Sequence, residues 1–219
     1  LSGFSQYPRH QQLYYDYTDY KAENRSVVNT YYGDGYILAP FGEHLTTNNK
    51  QFIGLTKIGN DYYEKWIKAY NDTLETADKY YTQDLIFDTT NIKYIACGSQ
   101  AEEYSHRQYR NAFIVWFDTS GTFQKLKTYN NIKVLNSIAQ VYNSSSASYV
   151  ACGLSNEDEA IIVGIDYSGE VVWNKTVDDD RMSNYNDLQV TKLKISPYTE
   201  LVCVTGYAED EDGPPQLES

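Results

Sequence analysis

The sequence predicts an all-β fold made of repeated four-stranded units, and three observations support this prediction. First, strand-like segments end at Gly42, Gly98, Gly153 and Gly206, at intervals of 53 to 56 residues. Second, two of these segments are nearly identical, YIACG and YVACG. Third, the same order of apolar segments recurs between successive glycines. A unit this small must stack on its neighbours to bury its apolar face. The predicted fold is therefore a β-propeller or partial propeller of four-stranded blades, with a period of about 55 residues.

The blades are predicted over residues 26–207, and residues 26–42 supply the last two strands of the opening blade. The unit that follows contains the segments QFIGLTK, YYEKWIKAY, DLIFD and KYIACG. Its stretch Tyr62–Leu85 is also compatible with a helix, but the repeat assigns the first half to a strand, and we let the repeat outweigh local propensity. The next unit contains NAFIVWF, TFQKLKTY, KVLNSIAQVY and ASYVACG. The last unit contains EAIIVGI, EVVWNKTV, DLQVTKLKI and ELVCVTG.

A four-residue turn is predicted to join the first two strands of each blade. It reads Asp-Thr-Ser-Gly at 118–121 and Asp-Tyr-Ser-Gly at 166–169. The aspartate can accept hydrogen bonds from the amides that follow, and the glycine can take the positive φ of a type I turn with a bulge. The preceding unit is more divergent, because Ile58 replaces the aspartate and the glycine is shifted to Gly59.

The two ends of the chain do not follow the repeat. Residues 1–25 either supply the first strands of the opening blade or form an extended tyrosine-rich arm. Within them, the candidate contacts with a partner are Tyr14, Tyr15, Tyr17 and Tyr20, since tyrosine offers a protein or a sugar ring a flat apolar face and a polar tip. Strand packing is the alternative role of these tyrosines. Residues 208–219, AEDEDGPPQLES, are predicted to be an acidic disordered tail or linker.

The net charge of -12 disfavours nucleic acid and anionic membrane surfaces as partners. The longest apolar run is Ala160–Ile165, which is far short of the roughly 20 residues of a membrane-spanning helix, so no membrane insertion is expected. The sequence begins at Leu1 without a charged-then-apolar leader, which we interpret as a processed product or a piece of a longer protein.

Four Asn-x-Ser/Thr sequons give the clue to the compartment. They begin at Asn24, Asn71, Asn143 and Asn174 and are candidate glycosylation sites. They favour an extracellular or cell-surface protein.

The three cysteines form no Cys-x-x-Cys pair and lie in apolar, strand-like runs. We interpret Cys97, Cys152 and Cys203 as small buried hydrophobic residues. A disulfide between Cys97 and Cys152 is the alternative, and it requires Cα atoms within about 7 Å of each other.

Motifs that carry chemistry are sparse, and neither a catalytic site nor a bound cofactor is predicted. His10, His44 and His106 show no zinc-ligand spacing. The acidic run Asp178–Asp180 is the candidate metal site, because closely spaced carboxylates suit Ca²⁺. No EF-hand spacing is present, so a solvated acidic loop is the favoured interpretation.

These features resemble the bacterial-type β-propeller repeats, of which the SBBP repeat is the named example. Their unit reads Asp-x-x-Gly-x-x-x-Trp, followed by a polar stretch and a Tyr-Val-x-Gly strand. The residues in these places are Asp166, Gly169 and Trp173 for the turn and Tyr149, Val150 and Gly153 for the strand. The resemblance covers residues 26–207, although Lys125 stands where the tryptophan of the preceding unit would fall. It implies blades in a secreted or surface protein, and no particular reaction.

Two enzyme families built on similar blades fit less well. The sialidase-type Asp box sets its aspartate two residues before its glycine, whereas Asp166 and Gly169 are three apart. Quinoprotein dehydrogenase blades use a longer turn, and the neighbouring cysteine pair that many of them carry is absent here. A shared blade shape does not transfer chemistry.

The leading functional hypothesis is a non-catalytic extracellular module, structural or binding, that engages a protein or a glycan. One alternative is a propeller-based enzyme, either a hydrolase or a quinone-dependent enzyme. Another is a self-assembling subunit of an extracellular filament, in which Leu1–Tyr20 inserts into the neighbouring subunit.

Overall fold

The computed structural model describes residues 14–17, 20–44, 51–70, 79–101, 109–142, 147–177, 182–196 and 199–210. These residues form fifteen β-strands in four antiparallel sheets, and none of them is helical. The all-β prediction is therefore confirmed. A search of the same residues for a helix long and apolar enough to cross a membrane finds none.

Every sheet is an antiparallel meander whose strands pair in chain order. The first sheet contains β1 (Tyr14–Tyr17), β2 (Tyr20–Asn29), β3 (Gly35–His44), β4 (Gln51–Gly59) and β5 (Glu64–Tyr70). The second sheet contains β6 (Lys79–Asp88), β7 (Lys93–Ala101), β8 (Tyr109–Phe117) and β9 (Phe123–Tyr129). The third sheet contains β10 (Ile132–Gln140), β11 (Tyr149–Ser155), β12 (Ala160–Ile165) and β13 (Val171–Val177). The fourth sheet contains β14 (Met182–Ser196) and β15 (Thr199–Asp210).

Burial explains the composition of the strands. The central strands β11 and β12 are buried along almost their whole length, and they read as the continuous apolar runs YVACG and AIIVGI. The fourth strand β9, FQKLKTY, lies at the sheet edge and is largely exposed. In the ambiguous stretch Tyr62–Leu85, the first half forms β5, as the repeat predicted.

The predicted turn geometry is confirmed at both sites. The carboxylate of Asp118 accepts hydrogen bonds from the amides of Ser120 and Thr122, at 2.9 and 2.8 Å. The carboxylate of Asp166 accepts one from the amide of Glu170 at 2.9 Å. The fourth residue of each turn, Gly121 or Gly169, has a φ of 80° or 87°.

The predicted boundary between repeat units is wrong. Turn 118–121 joins β8 to β9, and turn 166–169 joins β12 to β13, so each turn connects the last two strands of a sheet rather than the first two. The chain crosses from one sheet to the next between β9 and β10, where only residues 130–131 intervene. So short a connection normally joins two paired antiparallel strands. The sequence therefore predicts a hairpin at the point where the chain passes to the next sheet.

The sheets stack in chain order through β2 of the first sheet and the first strand of each later sheet. Strand β2 lies against β6, β6 lies against β10, and β10 lies against β14. In the part of the chain that the structure describes, the extensive contacts between sheets all join consecutive sheets. An apolar cluster fills the space between the first two sheets and includes Ile37, Leu55, Phe113 and Phe117. Such a cluster would be exposed in an isolated sheet, so each sheet depends on its neighbour.

A buried carboxylate fastens the second sheet to the third. Asp88, at the end of β6, is fully buried. It accepts hydrogen bonds from the Tyr149 hydroxyl and the Gln140 side-chain amide, both at 2.5 Å, which belong to the third sheet. In its own turn it accepts bonds from the Asn91 side chain at 2.8 Å and from the amides of Thr90 and Asn91 at 2.8 and 3.0 Å. We call these five residues the Asp88 cluster.

A second carboxylate joins three sheets at once. A β-bulge interrupts the pairing of β6 next to Asp84. One oxygen of Asp84 accepts bonds from the hydroxyl of Ser26 on β2, at 2.8 Å, and from the amide of Leu85 at 2.9 Å. The other oxygen accepts bonds from the hydroxyl of Ser137 and the amide of Ile138 on β10, at 2.7 and 3.1 Å.

We expect Asp84→Ala to lower the free energy of unfolding by about 2–4 kcal/mol, because the donors on two neighbouring sheets lose a charged acceptor. Denaturant titration measures the loss. The control is Glu170→Gln, which removes an exposed ion pair with Lys127 and should cost less than about 1 kcal/mol. Equal losses for the two variants would show that the bridge contributes little.

A candidate binding site at the turn end of the first sheet

Two tight connections of the first sheet lie at the same end of that sheet, which we call the turn end. In the first sheet these connections are residues 30–34 between β2 and β3 and residues 60–63 between β4 and β5. The two are neighbours, because Gly35 pairs with Gly59 and the side-chain amide of Asn60 donates to the carbonyl of Gly33 at 3.1 Å.

Four tyrosines project from these two connections. The exposed fractions are 45% for Tyr31, 75% for Tyr32, 79% for Tyr62 and 73% for Tyr63. We call these four residues the tyrosine surface. Clustered exposed aromatic groups mark interaction sites, since folding alone gives no reason to keep them in water.

The connection at residues 30–34 is held firmly in place. The hydroxyl of Thr30 accepts a bond from the amide of Asp34 at 2.9 Å, and Tyr31 donates its amide to the hydroxyl of Tyr94 on the second sheet at 3.0 Å. The ring of Tyr31 packs against Phe87, with centroids 5.5 Å apart, and meets the ring of Tyr32 edge-on at 5.0 Å. Tyr31 is therefore anchored, and Tyr32 projects beyond it.

The connection at residues 60–63 holds a tyrosine in an unfavourable backbone conformation. Tyr62 has a φ of 63°, and its amide bonds to the carbonyl of Gly59 at 2.9 Å. The corresponding residue is glycine in the turns that end at Gly121 and Gly169, and Asp158, with a φ of 64°, in the turn 155–158. A bulky residue at positive φ is uncommon, and such strain is concentrated at functional sites.

Ion pairs border the tyrosine surface. Lys57 donates to Asp34 and Lys65 donates to Asp61, each at 2.6 Å. The bond from Lys57, and to a smaller extent one with Thr30, lowers the pKa of the Asp34 carboxyl group. The bond from Lys65, and to a smaller extent one from the amide of Tyr63, lowers the pKa of the Asp61 carboxyl group. The two connections therefore combine exposed aromatic groups with ionised, mutually neutralised groups, a combination that is also found in protein interfaces.

The predicted N-terminal contacts lie at the other end of the same sheet. Tyr14, Tyr15 and Tyr17 are in β1, and Tyr20 opens β2 and pairs with Tyr17 in the β1–β2 hairpin. The described part of residues 1–25 thus adds strands to the first sheet. The structure does not bring these tyrosines to the tyrosine surface, and their role as contacts stays a prediction.

Of the predicted glycosylation sites, Asn174 is exposed on β13, and Asn24 lies in β2. The other predicted site residues lie outside the described residues, namely Asn71, Asn143, Asp178, Asp179 and Asp180. Within the described ranges, no three His, Cys, Asp or Glu side chains are grouped closely enough to hold a metal ion. The Ca²⁺ site therefore stays a prediction.

The interpretation of Cys97 and Cys152 as small buried hydrophobic residues is confirmed. Cys97 and Cys152 are both buried and both free, so the disulfide considered between them is not formed. Burial raises the pKa of the Cys97 thiol well above its ordinary value and raises that of Cys152 to about 12. Both thiols are thus protonated and unreactive at neutral pH.

Sequence reasoning missed the tyrosine surface. A signal was present, because each connection carries adjacent tyrosines among turn-forming residues, in TYYGDG and NDYYEK. Tyrosine in a strand packs readily, but tyrosine in a polar turn has no sheet surface to cover.

Comparison with known proteins adds no family assignment. No protein-family model matches the chain, and no curated protein matches it. The resemblance to bacterial-type β-propeller repeats stays a prediction that rests on the residues quoted above.

Proposed function

We propose that the four sheets are successive blades of a β-propeller, and that the protein is a non-catalytic extracellular module that binds a protein partner through the tyrosine surface. The observation that carries this proposal is Tyr62, a bulky aromatic residue that is 79% exposed and has a positive φ, at a turn position that Gly121 and Gly169 occupy in the second and third sheets. The exposed sequon at Asn174 supports the extracellular location.

Three properties favour a protein partner over a glycan. Tyrosines on turns of a rigid β-scaffold resemble the contact residues of antibody loops, which bind with little loss of side-chain entropy. Tyr31 and Tyr32 meet at an interplanar angle of 72° and so do not form a flat platform for a sugar ring. The carboxylates nearby, Asp34 and Asp61, are each paired with a lysine, so a sugar hydroxyl would compete with that ion pair.

The test compares the wild type with the variant Tyr32→Ala/Tyr62→Gly. The binding of each is measured to a displayed library of secreted and surface proteins and to a glycan array. We expect partner affinity to fall by at least about 30-fold, as when two interface tyrosines are removed. The free energy of unfolding should stay within about 1 kcal/mol of wild type or rise, because glycine relieves the strain at residue 62.

The matched control is Tyr167→Ala, which removes an exposed tyrosine from the corresponding turn of the third sheet. This control should retain partner binding. Equal binding by wild type and the double variant would contradict the proposal, and binding of glycans alone would replace the protein partner with a carbohydrate.

A further inference from the structure

The first and second sheets are joined by a specific device. Turn 118–121 of the second sheet lies on the edge strand β5, with Gly121 against the ring of Trp66 so closely that a Cβ atom would overlap it. Lys68 donates to the carbonyl of Ser120 at 2.7 Å, and Tyr70 donates its hydroxyl to the carbonyl of Gly121 at 2.6 Å. The ammonium group of Lys68 also lies 5.3 Å from the centroid of Trp66.

The second and third sheets repeat this device. A Cβ atom at Gly169 would lie 2.8 Å from the ring of Trp116. Lys125 donates to the carbonyl of Ser168 and lies 5.1 Å from the centroid of Trp116. Tyr129 donates its hydroxyl to the carbonyl of Gly169 at 2.9 Å. Each contact therefore combines a tryptophan, a lysine and a tyrosine with a turn that has a glycine in its fourth position, although the tryptophan lies on the edge strand β5 in the first contact and on β8 in the second.

The edge strand β13 of the third sheet carries a tryptophan and a lysine at the spacing found on β5, with Val177 in the place of Tyr70. Trp173 and Lys175 are two residues apart, as Trp66 and Lys68 are on β5. Trp173 pairs with Gly164 at the position next to the bulge, where Trp66 pairs with Lys57 in the first sheet. Trp66 is half-buried, with turn 118–121 of the second sheet against its ring. In contrast, Trp173 is 39% exposed and Lys175 is exposed.

We propose that β13 binds the glycine turn of a further β-hairpin, which supplies the third and fourth strands of the fourth sheet. Among the described residues, that sheet has only β14 and β15, which correspond to the first two strands of the others. By analogy with the two interfaces above, the turn of this hairpin is of the Asp-x-Ser-Gly type. The carbonyl of its serine accepts a hydrogen bond from Lys175, and its glycine packs on the ring of Trp173.

A second copy of the chain fits poorly as the occupant. Its turns 118–121 and 166–169 are already docked on its own sheets. Its two other turns of this type have Tyr62 and Asp158 in the place of the glycine, and these side chains would meet the tryptophan ring.

The test uses a synthetic hairpin with the sequence of Asn111–Tyr129, stapled by a terminal disulfide because isolated hairpins are marginally stable. We expect it to bind the full chain and to change tryptophan fluorescence. Trp173→Ala and Lys175→Ala in the protein should each weaken binding at least tenfold. A hairpin with Gly121→Val should not bind, because its Cβ overlaps the tryptophan.

The matched control is Val172→Ala, which alters an exposed apolar residue on the same strand but on the opposite face from Trp173. It should bind like wild type, and thermal melts should show that all variants remain folded. Absence of binding, or binding that survives both Trp173→Ala and the blocked glycine, would overturn the proposal. Self-association through Trp173 without hairpin binding, seen by sedimentation, would make a second copy the occupant and would also overturn it.

Discussion

Replacing Asp88 with alanine is expected to lower the free energy of unfolding by about 3–5 kcal/mol. The carboxylate is fully buried and receives five hydrogen bonds within the Asp88 cluster. Its removal takes the acceptor from the hydroxyl of Tyr149 and leaves the side-chain amide of Gln140 with Thr90 as its other acceptor, at 3.0 Å. Denaturant titration of the variant measures the cost.

The comparison variant is Tyr149→Phe, which removes one donor and leaves the carboxylate bonded to the others. It should cost about 1–2 kcal/mol, well below the loss for Asp88→Ala. If the two variants lost the same stability, the carboxylate would not be the centre of the cluster.

The same carboxylate should make stability depend on acid. Burial alone would raise the pKa of Asp88, but bonds from Tyr149 and Asn91 outweigh it, so the pKa in the folded protein lies below the ordinary 3.8. The unfolded chain thus binds the proton more readily, and stability is lost as the pH falls from 3.8 toward the folded value. We expect the stability difference between wild type and Asp88→Asn to be constant above about pH 5 and to shrink below it.

Gly121→Ala should cost about 2–5 kcal/mol, because two penalties combine at this position. A φ of 80° is strained for any residue with a Cβ atom, and that atom would also overlap the ring of Trp66. Denaturant titration gives the total loss, and fluorescence of Trp66 should report its increased exposure to water.

Gly33→Ala separates the two penalties. Gly33 has a similar φ of 68°, but nothing lies within 4 Å of a Cβ built there. Its substitution should therefore cost only the backbone strain, about 1 kcal/mol. Losses of equal size at the two glycines would mean that the turn is not firmly docked on the tryptophan.

The strand pattern was predictable because its causes are local. Gly98 and Gly153 mark the repeat, and the structure shows why these positions are glycine: a Cβ atom would meet the carbonyl oxygen of Tyr81 or Val134 on the adjacent first strand. The turns at Asp118 and Asp166 were predictable for the same reason, since the aspartate, the amides and the glycine all lie within a few residues.

The grouping of strands into sheets was not predictable in the same way. The connection from β8 to β9 stays within one sheet, and the connection from β9 to β10 leads to the next sheet, but both are short and polar. Only the packing of β2, β6, β10 and β14 against one another distinguishes the two connections. The Asp88 cluster and the tyrosine surface depend on distant residues. Asp88 and Tyr149 are 61 positions apart, and Asn60 reaches Gly33 across 27.

The bridge at Asp84 has a mechanical consequence. Because one carboxylate holds hydroxyl groups from both flanking sheets, the second sheet cannot be peeled from one neighbour without disturbing its hold on the other. A force applied to the two ends of the chain would thus act on three sheets that share the Asp84 bridge. We expect these three sheets to unfold together in a single step.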